Sequence, residues 1–240
     1  MRPDLSSRAV DARELMDAPD ADPQMLAHTY RRFEVVNALV SRPGAVYRED
    51  VRPRARAGRI RILDVGAGGG DLCRALAAFL RRDGLSAEIT ALDPDERAMT
   101  WAQAHDAGAG VRYRVAATDE LVTTGERFDV VLSNHLLHHL TDDELSRVLV
   151  DTQRLVTDTG VVAHHDIARS RAAYALYSAA TLPFARNYLA GSFIREDGLL
   201  SIRRSHTAAE LRARAPAGWT VRSGVPARLQ LRWDGGRARG

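Results

Sequence analysis

Hydrophobic positions near the start of the chain recur at the spacing of one face of an α-helix. The apolar residues on this face are Met25, Leu26, Tyr30 and Phe33. Steps of three and four residues between apolar positions are typical of an amphipathic helix. The pattern therefore predicts a helix over residues 22–39, which we expect to belong to an N-terminal helical cap.

Short apolar runs and amphipathic stretches alternate along the rest of the chain. The predicted strands are Ile60–Val65, Glu88–Leu92, Val111–Ala116, Phe128–Ser133, Gly160–His165, Thr220–Val225 and Arg228–Trp233. Helices are predicted at Asp71–Arg82, Asp95–Ala107, Asp142–Val156 and Thr207–Ala215. Strands separated by helices imply βαβ units, a parallel sheet and right-handed crossovers. A turn containing proline joins the last two strands, so we expect that pair to be antiparallel.

The region after the fifth predicted strand is rich in aromatic residues and interrupts this alternation. Helical spacing is found there over Tyr174–Ala180 and Ala185–Phe193. We interpret residues 168–206 as an inserted helical lid. The chain is accordingly predicted to consist of a cap over residues 1–56 and one main domain over residues 57–240.

Composition narrows the class of protein. The 240 residues are 45% hydrophobic and 27% charged, as in an ordinary globular protein, and all basic residues are arginine. A formal net charge of +3 is far below the positive charge expected of a dedicated nucleic-acid binder. Cys73 is the single cysteine, which excludes an intrachain disulfide and a cysteine metal cluster. The N-terminus is polar and no apolar run is long enough to cross a bilayer, so we expect a cytoplasmic protein without membrane contact.

A glycine-rich turn follows the first predicted strand and opens the first helix of the sheet. Such a turn lets a ligand lie against bare backbone near the free amides of a helix N-terminus. The fingerprint of dinucleotide-binding dehydrogenases, begun at Gly66, requires Gly or Ala at position 71, where this chain has Asp71. Asp64 precedes the turn and can accept hydrogen bonds from a cationic ligand. The turn therefore favours a cationic, phosphate-free ligand over a pyrophosphate.

The series Asp64-x-Gly66-x-Gly68-x-Gly70 resembles the first motif of class I S-adenosylmethionine-dependent methyltransferases. This resemblance implies a doubly wound α/β fold with a seven-stranded, mostly parallel, Rossmann-like sheet. It also implies S-adenosylmethionine as cofactor and S-adenosylhomocysteine as product. The glycine turn, including Ala67, would then contact the methionine part of the cofactor.

Further cofactor residues follow from the same resemblance. Asp93, followed by Pro94, stands where the family places the acid that binds both ribose hydroxyls. A carboxylate suits two neighbouring hydroxyls because it offers two oxygens as acceptors. The segment after the third strand departs from the family, with Ala117 where Asp is common, so Asp119 is expected to meet the adenine amino group, with Glu120 beside it. The residues expected to face the cofactor after the fourth strand are Ser133 and Asn134.

Histidines concentrate at the ends of the fourth and fifth predicted strands, where ligands bind in open α/β sheets. They are His135, His138, His139, His164 and His165. A histidine suits removal of a phenol proton near neutral pH. We expect His165 to be the base, oriented by Asp166, with His139 as the second choice, and His135 and His138 to contact the acceptor. The alternative is that His138 and His139 only pack and cap the turn.

Two longer segments resemble a bacterial subgroup of this family that is associated with type III polyketide synthases. They lie at residues 14–37 and 197–204, and the subgroup methylates phenolic lipids and derived quinones. The chain departs from the subgroup at His164-His165-Asp166. The tyrosines of the predicted lid are Tyr174, Tyr177 and Tyr188. We expect them to line an aromatic pocket; the alternative is that they pack two helices together.

The sequence thus predicts an enzyme that methylates the hydroxyl of a phenolic or polyketide-derived small molecule. The alternatives are C- or N-methylation of another natural product, an NAD-dependent oxidoreductase, and an S-adenosylmethionine-binding protein without catalysis. No carboxylate cluster with metal-ligand spacing is found, so no metal is expected. A monomer or homodimer is expected.

Overall fold

A seven-stranded sheet forms the centre of the fold. The computed structural model describes residues 3–237, without the side chains of residues 34, 38–40 and 237. The strands are β1 Ile60–Val65, β2 Ala87–Asp93, β3 Arg112–Val115, β4 Phe128–Asn134, β5 Val156–Ile167, β6 Thr220–Gly224 and β7 Arg228–Asp234. Their order is β3-β2-β1-β4-β5-β7-β6, with β7 antiparallel to both β5 and β6 and the other pairs parallel. The predicted mostly parallel sheet and the antiparallel closing pair are confirmed.

Helices cover both faces of the sheet, as the alternation of elements predicts. They are α1 Pro23–Val40, α2 Pro43–Val46, α3 Arg52–Ala55, α4 Asp71–Arg82, α5 Glu96–Ala104, α6 Thr118–Thr123, α7 Asp142–Leu155, α8 Arg171–Thr181, α9 Ile194–Arg204 and α10 Ala208–Arg214. On one face, α2 to α5 pack in a core with Ile62, Val130 and Ala163. On the other face, α6, α7 and α10 pack in a core with Leu63 and Val162.

Alternation along β5 decides which of its polar residues reach a given face. Val161 and Ala163 belong to the core beneath α4, whereas Val162 belongs to the opposite core. Successive side chains of a strand point to opposite faces. His165 and Asp166 therefore lie on different faces, although they are neighbours in the sequence.

The predicted cap consists of two differently placed parts. Residues 43–55 pack into the core beneath the sheet, through side chains such as Val46 and Tyr47. The segment before α1 instead lies against α9 and the loop after β4. Its Ala9 amide donates to the Arg203 carbonyl at 3.1 Å, and Arg8 donates to the carbonyls of Arg204 and Leu140.

The lid region differs from the prediction in one helix. Residues 185–193 form turns, and the helix that follows, α9, begins at Ile194. Gly198 weakens the helical signal of α9, because glycine disfavours helix interiors. A Cβ at Gly198 would lie 2.1 Å from the Tyr177 hydroxyl, so close packing of α8 on α9 requires this glycine. None of the described helices is both long and apolar enough to cross a membrane.

Candidate active site

A cavity of about 500 Å³ lies at the carboxyl ends of the central strands. One half is formed by the glycine turn after β1, the end of β2 and part of α1. The other half is formed by the loop after β4, the segment before α1, and helices α8 and α9. Ligands of doubly wound sheets bind at this edge, so the cavity is the candidate active site.

The glycine turn has the backbone conformation that its sequence predicts. Gly66, Gly68 and Gly70 have φ values of 68°, 51° and 73°, a region that glycine adopts without strain. A Cβ at Gly66 would lie 2.8 Å from Leu136 Cδ1, so a side chain there would displace the Leu136 side chain. The amide of Gly68 donates to Asp93 Oδ2 at 2.8 Å, which ties the turn to the end of β2.

Three carboxylates surround this turn and line the cavity. Asp64 Oδ2 accepts from the Cys73 thiol at 3.3 Å, and Asp64 Oδ1 has no hydrogen-bond partner among the described residues. Burial raises the pKa of Asp64 to about 7. Burial also raises the pKa values of Asp71 and Asp93, and Asp71 accepts from Asn37 Nδ2 at 3.2 Å. This half of the cavity therefore suits a cationic ligand.

Not every expected cofactor residue is at the cavity. Asp64, Gly66, Ala67, Gly68, Asp93, Pro94 and Asn134 line it. Asp119 and Glu120 are exposed on α6 and do not, and Glu120 Oε1 instead accepts from the Ala117 amide at 2.9 Å. Ser133 is also turned away, because its hydroxyl lies 2.8 Å from His164 Nδ1 inside the core. Gly70 is not among the lining residues either, so four placements differ from the expectation from the sequence.

His138 is the centre of a buried charged cluster in the other half of the cavity. Its Nδ1 lies 2.8 Å from Asp166 Oδ1, and its Nε2 lies 3.4 Å from Glu14 Oε1. Burial alone would lower the pKa of His138, but Asp166 and Glu14 together raise it to about 10. Burial would likewise raise the pKa of Glu14, yet the hydrogen bond to His138 helps lower it to about 2. At neutral pH His138 is a cation between two carboxylates and is unsuited to accept a proton.

Two further histidines of the same loop line the cavity. His135 has a φ of 59°, and its Nδ1 lies 3.7 Å from Asp166 Oδ1. Its Nε2 has no hydrogen-bond partner within the described part of the chain. His139 Nδ1 lies 3.0 Å from Asp17 Oδ2, and its Nε2 lies 3.8 Å from a Glu14 oxygen. Both rings turn Nδ1 toward a carboxylate, and neither Nε2 makes a hydrogen bond within the described residues; the Nε2 of His135 is buried, whereas the His139 ring is partly exposed.

His165, the base expected from the sequence, is not at the cavity. Its Nε2 lies 2.9 Å from Asp50 Oδ2 within the core, where Asp50 also pairs with Arg232. Asp166 does not line the cavity either; it contacts His138 and His135, which do line it. The expectation fails because alternation along β5 separates neighbouring residues.

One of the three expected tyrosines reaches the cavity. Tyr177 lines it, and its hydroxyl donates to the Ile194 carbonyl at 2.7 Å. Tyr174 does not line it, and Tyr188 is exposed, with the guanidinium of Arg32 5.4 Å from its ring centre. Sequence reasoning assigned no role to Glu14 or Asp17. Only a resemblance of the whole segment pointed to them, because nothing local shows that they meet the loop after β4.

Two groups of side chains in this half have the composition of a metal site. They are Glu14 with His138 and His139, and His135 with His138 and Asp166, whose candidate ligand atoms lie within 4.8 Å of one another in each group. Both groups include His138, and imidazole binds a metal only after losing a ring proton. The raised pKa of His138 opposes this. The absence of a metal stays a prediction.

Comparison with known proteins agrees with this geometry. Residues 62–160 match a family described as a methyltransferase domain. The ubiquinone biosynthesis O-methyltransferase of Sinorhizobium medicae is 30% identical over 145 residues, covering 59% of this chain and 56% of the relative. The enzyme of the same description from Azorhizobium caulinodans is 35% identical over 119 residues, covering 49% and 44%. The chain thus spans about half the length of the curated relatives it matches.

Solved structures show the same fold. The plantazolicin methyltransferase BpumL, in complex with SAH, superposes with a TM-score of 0.62 at 11% identity over 91% of both chains. A DhpI–SAH complex superposes with a TM-score of 0.51 at 20% identity, over 92% of this chain and 97% of that chain. The Rossmann-like methyltransferase fold is therefore confirmed. The match of residues 62–160 to a methyltransferase domain agrees with the expected enzyme class at the level of that domain. Both of these solved neighbours are described as complexes with SAH.

The placement of His165 gives a first testable prediction. Replacing His165 with Gln weakens the buried contact with Asp50, and we expect the free energy of unfolding to fall by about 1–3 kcal/mol. Turnover per folded molecule and its pH profile should stay as in the parent protein. Urea unfolding together with steady-state kinetics checks both. A loss of turnover of about 10²-fold or more in fully folded protein would restore His165 as the base.

The charge on His138 gives a second prediction. Its pKa in the folded protein, about 10, lies above the ordinary value of 6.5. The resulting stabilisation is complete below the unfolded pKa and is lost as the pH rises through the folded one. Between about pH 7 and about pH 9 the free energy of unfolding should fall by ~1.4 kcal/mol per pH unit from this group. The His138→Gln variant should lack this slope, and an identical slope in both proteins would contradict a charged His138.

Proposed function

We propose that this protein transfers the methyl group of S-adenosylmethionine to the hydroxyl of a phenolic small molecule. The observation that supports this best is His135 at the cavity wall, with Nε2 unpaired among the described residues and Nδ1 facing Asp166. Curated relatives named as ubiquinone biosynthesis O-methyltransferases support an oxygen acceptor. A polyketide-derived phenol, as the sequence resemblance implies, remains within this proposal.

The half of the cavity at the glycine turn would hold the cofactor. The Asp93 carboxylate can accept about four hydrogen bonds. Two of these acceptor positions are used by the Gly68 and Asp95 amides, so others are left. Those positions suit the ribose hydroxyls. Asp64 Oδ1 and Asn134 Oδ1, both without a partner in the described structure, are further acceptors at the same half. When bound, the cofactor supplies a methyl group on a positively charged sulfur.

The half of the cavity at the histidines would hold the acceptor. The phenol gives its proton to His135 Nε2, and Asp166 stabilises the imidazolium that forms. The phenol oxygen would then receive the methyl group of bound S-adenosylmethionine, with S-adenosylhomocysteine as the leaving group. Positioning at about 3–3.5 Å contributes most of the rate, and the base adds about 10²–10⁴-fold. His138 keeps its own proton and holds Asp166 and Glu14 in place.

An NAD-dependent oxidoreductase fits the cavity less well. Its ligand would bring an anionic pyrophosphate to the turn that Asp64, Asp71 and Asp93 surround. Carboxylates there repel a pyrophosphate, whereas they attract a sulfonium and an ammonium group.

The proposal is tested by incubating the protein with S-adenosylmethionine and a panel of alkylresorcinols, alkylated quinols and short aromatic polyketides. Mass spectrometry should detect a singly methylated phenol, with and without a chelator. Failure of every phenol in a sample that S-adenosylhomocysteine stabilises against heat would remove the acceptor assignment and leave the cofactor.

Replacement of the base is the third prediction. His135→Gln should lower kcat by about 10²–10⁴-fold at neutral pH while S-adenosylhomocysteine binds as before. The deficit should shrink toward about pH 10, where a phenol loses its proton without help. His139→Gln is the matched control from the same loop. If His139→Gln loses turnover and His135→Gln does not, the base is His139, as the alternative from the sequence has it.

Replacement of the ribose acid is the fourth prediction. Asp93→Asn should weaken binding of S-adenosylhomocysteine by about 10- to 100-fold, because one charged acceptor of the hydroxyls is lost. Calorimetric titration measures this directly. Asp119→Asn, an exposed carboxylate outside the cavity, is the control and should bind as the parent does. Equal affinities for Asp93→Asn and the parent would refute the role of Asp93.

A further inference from the structure

The acceptor half of the cavity has an acidic lining that comes from outside the sheet. The three-residue turn Leu15–Asp17, with Glu14 before it, lies between the loop after β4, where Asp17 contacts His139, and α5, where Arg97 donates to the Ala18 carbonyl. Glu14, Met16 and Asp17 line the cavity. Asp197 of α9 lines it as well. We call Glu14, Asp17 and Asp197 the acidic wall.

Contacts between α9 and the N-terminal segment hold the acidic wall in place. The two oxygens of Asp197 accept from the amides of Leu15 and Met16 at 2.7 and 3.0 Å. The Ser201 hydroxyl donates to Glu14 Oε1 at 2.7 Å. Glu14 and Asp197 are both buried. Burial raises the pKa of Asp197 to about 6, so the group is still mainly ionised at neutral pH.

Positive charge at the cavity is scarce. Among the described residues that line it, the only arginine is Arg97, whose guanidinium is 2.8 Å from Asp95 Oδ2. His138 is charged, but it lies between Glu14 and Asp166, which together outweigh it. The carboxylates at the glycine turn face the half proposed for the cationic cofactor. The carboxylates of the acidic wall line the half of the cavity proposed for the acceptor.

We infer that the acidic wall selects acceptors by charge, admitting neutral and cationic phenols and excluding phenols that carry a carboxylate. This inference rests on the proposed function and names the class of acceptor. Aromatic and apolar side chains, including Tyr30, Phe33 and Ile194, line the same cavity, so part of its wall has low polarity. Repulsion between like charges is stronger in such surroundings than in water. An anionic acceptor should therefore bind about ten-fold more weakly, or worse, than a neutral one of the same shape.

Matched catechols test the inference. Protocatechuic acid, its methyl ester and its amide differ mainly in charge at one position, and dopamine adds a cation. Their binding to the protein saturated with S-adenosylhomocysteine is measured by calorimetry, and their methylation by mass spectrometry. We expect the acid to bind at least about ten-fold more weakly than the ester and the amide, and dopamine to bind as well as the amide or better. Equal binding of the acid and the ester overturns the inference, and so does failure of both the ester and dopamine to bind.

Variants of the acidic wall separate charge selection from a structural role. Asp17→Asn and Asp197→Asn should each bring the ratio of ester to acid affinity about three-fold or more toward unity. A purely structural effect would weaken both ligands alike and leave the ratio unchanged, which would contradict the inference. Asp119→Asn removes an exposed carboxylate away from the cavity and should not change the ratio. Binding of neutral catechols with the expected ratio but without methylation would reject the proposed function and keep the charge selection.

Discussion

The buried contact of His138 with Asp166 and Glu14 is the interaction on which the candidate active site depends. It joins the loop after β4, the end of β5 and the N-terminal segment, which are far apart in the sequence. A buried charge without its partner costs several kcal/mol. Moving any one of these elements away would leave a charged side chain of the others buried and unpaired. The arrangement also places Asp166 3.7 Å from His135, the histidine that we propose as the base.

The N-terminal segment also contributes to the candidate active site, because Glu14, Met16 and Asp17 line the cavity. Arg204 donates to the carbonyls of His138 and His139 and also to that of Ala12, so one guanidinium holds the segment and the histidine loop together. The helices after β5 contribute Tyr177 and Asp197 to the same cavity. An acceptor would thus be enclosed between chain segments from both ends of the sequence. The acidic wall would repel an acceptor that carries a negative charge.

Local signals in the sequence were sufficient for the fold and for half of the site. The bounds of β1 and α4 were predicted without error, because a buried apolar run ends at glycines whose positive φ no other residue adopts as readily. The placement of His165 away from the cavity could not be predicted in this way. It depends on which face of β5 each side chain occupies and on the position of Asp50, which lies more than a hundred residues earlier. Glu14 was missed for the same reason, since its partner His138 is distant in sequence.

The most direct test of the account is the chemical position of the transferred methyl group. Carbon-labelled S-adenosylmethionine and a neutral phenol that the protein binds would be incubated together, and the product examined by carbon NMR. The account predicts that the labelled carbon resonates as an aryl methyl ether, and that His135→Gln suppresses this signal at neutral pH. A label found on ring carbon or on nitrogen, or remaining in the cofactor with a phenol bound, would contradict methyl transfer to a hydroxyl.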